Sequence, residues 1–319
     1  MTENERKVPI RLKQAEALRN RLSTYHKKVP EIESEIARRR AGFRGEQNLD
    51  YHLSFLPGSN NYTILKDLNL KDRHTFQIDT LLISPYYALI IEVKNYSGIL
   101  HIDPHTKQLI RKKGQNVDGF PNPILQAIRH QMQLKNWLQK EKFESYPVEY
   151  LVAFHEGNSI INSDQMDKRL FNRLIFADNI HHKLNQFERI HQTLKLDQNR
   201  IRKLKKKIMN QNKPTLPDIL KKYDISVLEL ISGVQCSVCS TFGMKRISGS
   251  WKCANCHSTS KTAHVKAIEE FLLLNHSITN KQCRYFLHLT SSNTAYRLLK
   301  DLQHPFFGEN KHREYYLQL

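Results

Sequence analysis

Apolar residues recur at helical spacing from Gly42 onward, at Phe43, Leu49, Leu53 and Leu56, and predict an amphipathic helix. The turn-forming run Pro57-Gly58-Ser59-Asn60-Asn61 ends it. Strand patterns follow. The stretch 62–65 is short, and Thr75–Ile83 is longer and bounded by Ser84-Pro85. Ala88–Lys94 is apolar until Glu92, as in a strand covered on both faces. Stretches 99–102 and 108–111 predict a hairpin around Asp103-Pro104. Asn122-Pro123 supplies an N-cap and a proline at the first helical position, for a helix to about Lys142. Val148–Phe154 and the weaker Leu174–Phe176 read as further strands. Helix, strands, helix, strand in this order predict an α/β domain over residues 41–190.

The flanks differ in character. Residues 1–40 lack glycine and form a polar, helix-friendly lead-in. Residues 195–213 hold eight Lys/Arg and one Asp, within a basic helical linker over 191–232 that Pro214 and Pro217 interrupt. That stretch reads equally as a solvated helix face or as a phosphate-contacting one. A cysteine-rich unit occupies 233–258. In the last segment, 262–319, one helix covers 267–274 and a second starts at Ser277-Ile278-Thr279 and runs to about Leu287. A third begins at Ser291-Ser292, with Ala295, Leu298, Leu299 and Leu302 inward. A hairpin over 306–317 turns at Gly308-Glu309-Asn310-Lys311.

The 319 residues are 39% hydrophobic, enough for a real core and for two or three domains. Fifty Lys+Arg against 31 Asp+Glu give a net charge of +19. That balance calls for a polyanionic partner, nucleic acid or an acidic membrane surface. The most apolar stretch, 86–93, is far too short to span a bilayer, and 1–13 lacks a signal-type apolar run. A cytoplasmic protein with no membrane partner is expected. In that reducing setting, four of the five cysteines, arranged as two Cys-x-x-Cys pairs, favour metal over disulfides.

Glu92 and Lys94 stand two apart in a strand and therefore project to one face. Charged groups ending an apolar strand need a reason, because burying either unpaired is costly. One reason is a structural ion pair. Another is a metal-dependent phosphodiesterase. Asp79 and Glu92 would hold Mg²⁺ or Mn²⁺ through oxygen, while Lys94 positions water and offsets charge in the transition state. Glu46 lies within the apolar stripe of its helix, as a ligand, a base or a boundary residue. Gln126 falls in the first turn of the helix after Asn122, with His130 one turn on. Gln126 could orient water or contact phosphate; His130 reads as ordinary polar surface.

The segments Gly42-Phe43-Arg44-Gly45-Glu46, Gln77-Ile78-Asp79-Thr80-Leu81-Leu82-Ile83, Ile91-Glu92-Val93-Lys94-Asn95-Tyr96-Ser97-Gly98 and Asn122-Pro123-Ile124-Leu125-Gln126-Ala127 occur in this order. Together they resemble the nuclease-related domain, NERD, a branch of the PD-(D/E)XK nuclease superfamily. The resemblance covers about residues 40–155. It implies a restriction-endonuclease-like mixed-sheet core flanked by helices, with a site of Glu46, Asp79, Glu92 and Lys94 assisted by Gln126. Ile78, not proline, precedes Asp79. The resemblance implies a DNA endonuclease; superfamily members can also keep the fold without catalysis.

Cys236-Ser-Val-Cys239 and Cys253-Ala-Asn-Cys256 suit one tetrahedral structural Zn²⁺ in a zinc ribbon. Such a closed four-sulfur site has no catalytic position, and the segment is too small to fold without metal. Cys283 reads as a core residue. Three helices and a hairpin over 262–319 resemble a winged helix-turn-helix, whose third helix would offer Ser292, Asn293, Tyr296, Arg297 and Lys300 to DNA. A helical packing or dimerisation module is the other reading, so these C-terminal modules are also where a protein partner or second copy would dock. Three functions follow: a DNA-acting nuclease, a non-catalytic DNA-binding or regulatory protein keeping the fold, and a membrane-surface or protein adaptor using the same charge.

Overall fold

The computed structural model describes residues 6–56, 62–157, 159–162 and 168–318. The expected turn at 57–61 lies outside them. Helices α1 (Ile10–Arg21) and α2 (Val29–Ser54) lead into strands β1 (Thr63–Lys71), β2 (Thr75–Ile83) and β3 (Ala88–Lys94). Strands β4 (Gly98–Ile102), β5 (Leu109–Lys113) and β6 (Asn116–Phe120) precede α3 (Pro123–Lys140). Then come β7 (Val148–Phe154), β8 (Ser159–Asn162), α4 (Lys168–Phe171), β9 (Leu174–Phe176), α5 (Ile180–Ile190) and α6 (Gln198–Gln211). The remainder holds α7 (Ile219–Tyr223), β10 (Val234–Gln235), β11 (Phe242–Ile247), β12 (Ser250–Lys252) and β13 (Thr259–Ser260). It closes with α8 (Ala263–Asn275), β14 (Ser277–Thr279), α9 (Asn280–Leu287), α10 (Ser292–Asp301), β15 (Phe306–Phe307) and β16 (Glu314–Tyr316). The chain forms two compact units: residues up to Lys7 with 40–215, and residues 8–39 with 216–319.

The first unit is a mixed α/β structure. Its main sheet has the order β1-β2-β3-β7-β9, antiparallel from β1 to β3 and parallel beyond. A second sheet, β6-β5-β4-β8, extends the region that the sequence reads as one hairpin. On one face of the main sheet, Ile124, Ala127, Leu134 and Trp137 of α3 and Ile201, Leu204 and Ile208 of α6 pack against Leu81, Ala88 and Ile90. On the other face, Leu49 and Leu53 of α2 and Ile180 and Leu184 of α5 cover Leu82, Leu89 and Ile91. This double cover explains why β3 is apolar on both faces. The basic stretch is thus partly α6, with its apolar side in this core and Arg202, Lys203 and Lys206 exposed.

Strand β1 is nine residues long, against the four expected. Its inward residues change parity, from Leu65 to Leu68 and Leu70, across Asp67, whose φ is +52°. Strand β2 changes parity opposite it, from Phe76 and Ile78 to Leu81 and Ile83, yet all seven residues join one core. A broken alternation hides the strand from a period-two reading. Asn122 caps α3 as expected, its Oδ1 accepting from the Ile124 and Leu125 N–H groups.

In the second unit the lead-in is two helices, because Ser23 to Lys28 break the pattern before α2 begins at Val29. Arg21 is fully buried there. Its Nε donates to Glu270 Oε2 at 2.6 Å and its Nη1 to the Ile231 and Gly233 carbonyls at 3.0 and 2.8 Å. The sheet β10-β11-β12-β13 carries the cysteines and shares a core with α8, α9 and α10 through Trp251, Phe271, Phe286 and Leu299. Ser277–Thr279, expected to open a helix, is instead strand β14, paired with β16 in the sheet β14-β16-β15. Helix α9 starts after it because Thr279 and Gln282 form a reciprocal capping box.

Candidate active site and metal centre

The acidic residues gather at a fault in the main sheet. The β2–β3 ladder ends at the pair Thr80–Ile91, and Asp79 then turns its carboxylate into the gap. Asp79 Oδ2 accepts the Val93 N–H at 3.0 Å, replacing the lost strand partner. Glu92 follows on β3 and is 2% exposed. Its Oε1 accepts from Lys94 Nζ at 2.7 Å and from Gln126 Nε2 at 2.6 Å. Lys94 Nζ also donates to Gln126 Oε1 at 3.2 Å, closing a ring of three side chains. Helix α3 holds Gln126 over the strand end because its capped first turn starts there.

Glu46 comes from α2. The helix can approach β3 because residue 45 is glycine: a Cβ there would stand 2.9 Å from Asn95 Cβ and 3.5 Å from Val93 Cγ1. Asn95 Nδ2 donates to the Ala41 carbonyl at 2.7 Å and fixes that approach. Glu46 Oε2 accepts from Arg6 Nη1 at 3.1 Å.

Two side chains here are not singled out by the sequence. Arg6, read as part of an undifferentiated lead-in, buries its guanidinium among Asp50, Glu46, Asp67 and Thr80, at 2.9, 3.1, 3.2 and 2.8 Å, and donates to the Asp79 carbonyl at 3.2 Å. Asp50, one helical turn beyond Glu46 and also paired with Lys66 at 3.0 Å, was the available signal that this helix face is acidic. His130, read as polar surface, is mostly buried, with Nδ1 3.4 Å from Glu92 Oε2.

The electrostatics follow from burial and crowding. Burial first, then the charge of Asp79, push Glu46 up to about 8 against the pull of Arg6. Burial and the neighbouring Glu92 raise Asp79. Burial also opposes ionisation of Glu92, but His130 and Lys94 outweigh it and hold Glu92 below its ordinary value. Lys94 is raised: burial works against its charge, and Glu92 and Asp79 more than compensate.

Asp79 and Glu92 offer hard oxygen donors suited to a divalent cation. Glu92 Oε2 is buried and faces only His130 Nδ1, at 3.4 Å and without a regular hydrogen bond, so it keeps acceptor capacity that a cation would use. Among the described residues, one group of three or more His, Cys, Asp or Glu has all its ligand atoms within 4.8 Å of one another, and it consists of the four cysteines.

Those cysteines sit on two knuckles of the second unit. Cys236 Sγ lies 3.6 Å from Cys256 Sγ, and Cys239 Sγ 3.5 Å from Cys253 Sγ. The turns are closed by Ser240 N–H to Cys236 O at 3.0 Å and Cys253 N–H to Ser258 O at 2.9 Å. Four thiols at these separations can chelate one tetrahedral metal ion. Cys283 lies apart, fully buried in the helical core. On α10, Ser292, Asn293, Tyr296, Arg297 and Lys300 all face outward while Ala295, Leu298 and Leu299 are buried. Ser292 Oγ donates to Asn280 Oδ1 at 3.1 Å, and Arg313 lies over the rings of Phe306 and Tyr296 at 4.3 and 5.8 Å. No described helix is long and apolar enough to cross a membrane.

No curated protein matches the chain. Residues 41–155 match the family model of the nuclease-related domain, NERD, so the stretch that brings Glu46, Asp79, Glu92, Lys94 and Gln126 together is similar to that family.

Proposed function

We propose that this chain is a divalent-metal-dependent nuclease of the PD-(D/E)XK type that hydrolyses phosphodiester bonds in DNA as an endonuclease. The observation that carries the reading is the meeting of Asp79, Glu92, Lys94 and Gln126 where β2 and β3 part, inside the residues that match the nuclease-related family. The order α2, β1, β2, β3, α3, β7 around that point supports a restriction-endonuclease-like core.

Asp79 and Glu92 would hold Mg²⁺ or Mn²⁺. Such an ion would supply Lewis-acid charge at the phosphate. Lys94 offers a partly buried ammonium that would orient the attacking water and offset charge on the pentavalent transition state. Gln126 grips both Glu92 and Lys94 and fixes their separation. Glu46, poised to exchange a proton close to neutrality, suits a general acid or base at the edge of the site.

In the second unit, the four cysteines would hold a structural Zn²⁺ in a zinc ribbon. Helices α8, α9 and α10 with the β14-β16-β15 sheet would form a winged helix-turn-helix. Its α10 would enter the major groove through Ser292, Asn293, Tyr296, Arg297 and Lys300. The net charge of +19 supports a nucleic-acid partner.

A second reading, a DNA-binding protein without turnover, is favoured by the direct Lys94–Glu92 ion pair, which is also what a purely structural strand end would show. Titrating duplex and single-stranded DNA against salt, with and without metal, separates the two. The nuclease reading expects salt-sensitive binding together with metal-dependent cleavage that Glu92→Ala removes. Salt-sensitive binding with no cleavage in Mg²⁺ or Mn²⁺ selects the second reading.

A further inference from the structure

Arg6 lies outside the stretch 41–155 that matches the nuclease-related family, yet its side chain is buried beside the candidate site, 1% exposed. It meets a fault in the β1–β2 ladder. That ladder pairs Lys66 with Thr80 and Leu68 with Ile78, and passes over Asp67 and Asp79 between them. Asp67 has a φ of +52° there, and Asp79 sends its carboxylate across to the Val93 N–H of β3. Arg6 Nη1 donates to both sides of the fault, to Asp67 Oδ1 and to the Asp79 carbonyl oxygen, each at 3.2 Å. The same nitrogen reaches Glu46 Oε2 on α2 at 3.1 Å. Nε and Nη2 donate to Asp50 Oδ2 and Oδ1 at 2.9 and 3.3 Å, and Nη2 also to the buried Thr80 hydroxyl at 2.8 Å. One planar group therefore joins α2, β1 and β2 at the point where Asp79 leaves β2 for β3.

We propose that Arg6 is a positioning residue of the candidate site: from an arm outside the matched domain, its guanidinium pins the β1–β2 fault to α2 and so aims the Asp79 carboxylate at the end of β3. The proposal rests on the nuclease reading and deepens it, because the arm then controls the site. Displacing Arg6 would switch the site off without touching Asp79, Glu92 or Lys94. The chemistry of the residue fits the task. A guanidinium carries five N–H donors in a rigid plane, whereas a lysine ammonium is a single point on a flexible stem and cannot span the same acceptors. With Arg6 gone, the Glu46, Asp50 and Asp67 carboxylates lose their shared partner and repel one another. The Asp79 carbonyl and the Thr80 hydroxyl lose a donor at the same time. Lys66 still pairs with Asp50 at 3.0 Å, which leaves part of the acidic cluster compensated.

The test uses the full-length chain, with Arg6→Met to remove the donors and Arg6→Lys to keep the charge without the fork. Amide hydrogen exchange, followed by nuclear magnetic resonance without metal or DNA, reads the position of Asp79 through the Val93 N–H that it accepts. In both variants the Val93 amide should exchange at least about ten-fold faster, while the amides of Leu89, Ile90 and Ile91 stay as in wild type. In cleavage of duplex DNA with Mg²⁺ or Mn²⁺, both variants should lose at least about ten-fold in kcat, with KM changed by less than about two-fold. Unchanged exchange at Val93 in Arg6→Met overturns the proposal. So does equal acceleration at Val93 and throughout β3, which would make Arg6 a general stabiliser, and so does faster cleavage, which would make the arm a plug. The reading beneath fails separately: a wild type that cleaves nothing, with Val93 responding as expected, removes the nuclease and leaves Arg6 as the group that positions Asp79.

Discussion

At the scale of single residues, Gly45 does the most positioning with the fewest atoms. A glycine inside a helix is ordinarily unfavourable by about 1 kcal/mol relative to alanine. Here the missing Cβ leaves room for Asn95 and Val93, so α2 can bring Glu46 up to the end of β3. Gly45→Ala should therefore destabilise the protein by about 1–3 kcal/mol, where a free helix would gain, and metal-dependent cleavage should fall with it. Chemical denaturation reads the sign directly; a stabilised Gly45→Ala protein contradicts this packing. The sequence exposed Asp79, Glu92 and Lys94 because charges interrupt apolar strands. It exposed Glu46 because a carboxylate interrupts an apolar helical stripe. Arg6 and His130 gave no comparable signal: a lone arginine in a polar stretch and a histidine on a mixed helix look the same whether buried or solvated.

At the scale of elements, α2 is one helix of 26 residues that the sequence divides at Gly42. The apolar stripe beginning at Phe43 is readable, whereas the earlier turns are dominated by charge. Those charges are ordered. Glu35 is buried against Arg38, Arg39 and Lys222 at 2.7, 2.6 and 3.0 Å. Burial would raise its carboxyl, but Lys222 and Arg39 prevail and lower it from 4.5 to about 2. A folded value below the unfolded one means stability that is present above about pH 4.5 and lost as pH falls toward about 2. Glu35→Gln should thus be less stable than wild type at pH 7 by about 1 kcal/mol, given the solvent around Arg38 and Lys222. Denaturation midpoints measured from pH 7 to pH 2 should converge; a gap that is constant or widens toward low pH contradicts the ion-pair account. Strand β1 was half legible for a different reason. Asp67 in a left-handed conformation reverses which side chains face inward, and a period-two pattern stops there although the strand continues. The same reversal occurs at Asp79, so the feature that hides the strand also places this carboxylate at the candidate site. Strand β14 reads as a helix start in the sequence because Thr279 is a genuine cap, one residue after the strand's buried Ile278.

At the scale of the whole molecule, the two tryptophans report separately on the two units, Trp137 in the first and Trp251 in the second. Trp251 is fully buried in a core that includes Cys236 and Cys253. A Trp137→Phe protein stripped of metal by a strong chelator should show a red-shifted Trp251 emission, restored by Zn²⁺, because the cysteine knuckles that flank Trp251 in this core would lose the ion that ties them together. Emission that stays blue after chelation rules out a metal-dependent ribbon. The paired cysteine spacing made this centre legible from sequence alone. The sharing of one core by the cysteine-bearing sheet and the C-terminal helices was not legible, because contacts far apart in sequence leave no local period. The α/β core was legible for the opposite reason, since its strands and helices are long and locally patterned. The central claim is that Asp79, Glu92 and Lys94 turn over phosphodiester bonds. The most direct measurement is cleavage of end-labelled duplex and single-stranded DNA, started by adding Mg²⁺ or Mn²⁺ to purified protein. Internal cleavage products should form with wild type, and Glu92→Ala and Lys94→Ala, folded by circular dichroism, should lose at least about 100-fold in rate. Cleavage that is absent from the wild type under both metals, or equal in all three proteins, would contradict it.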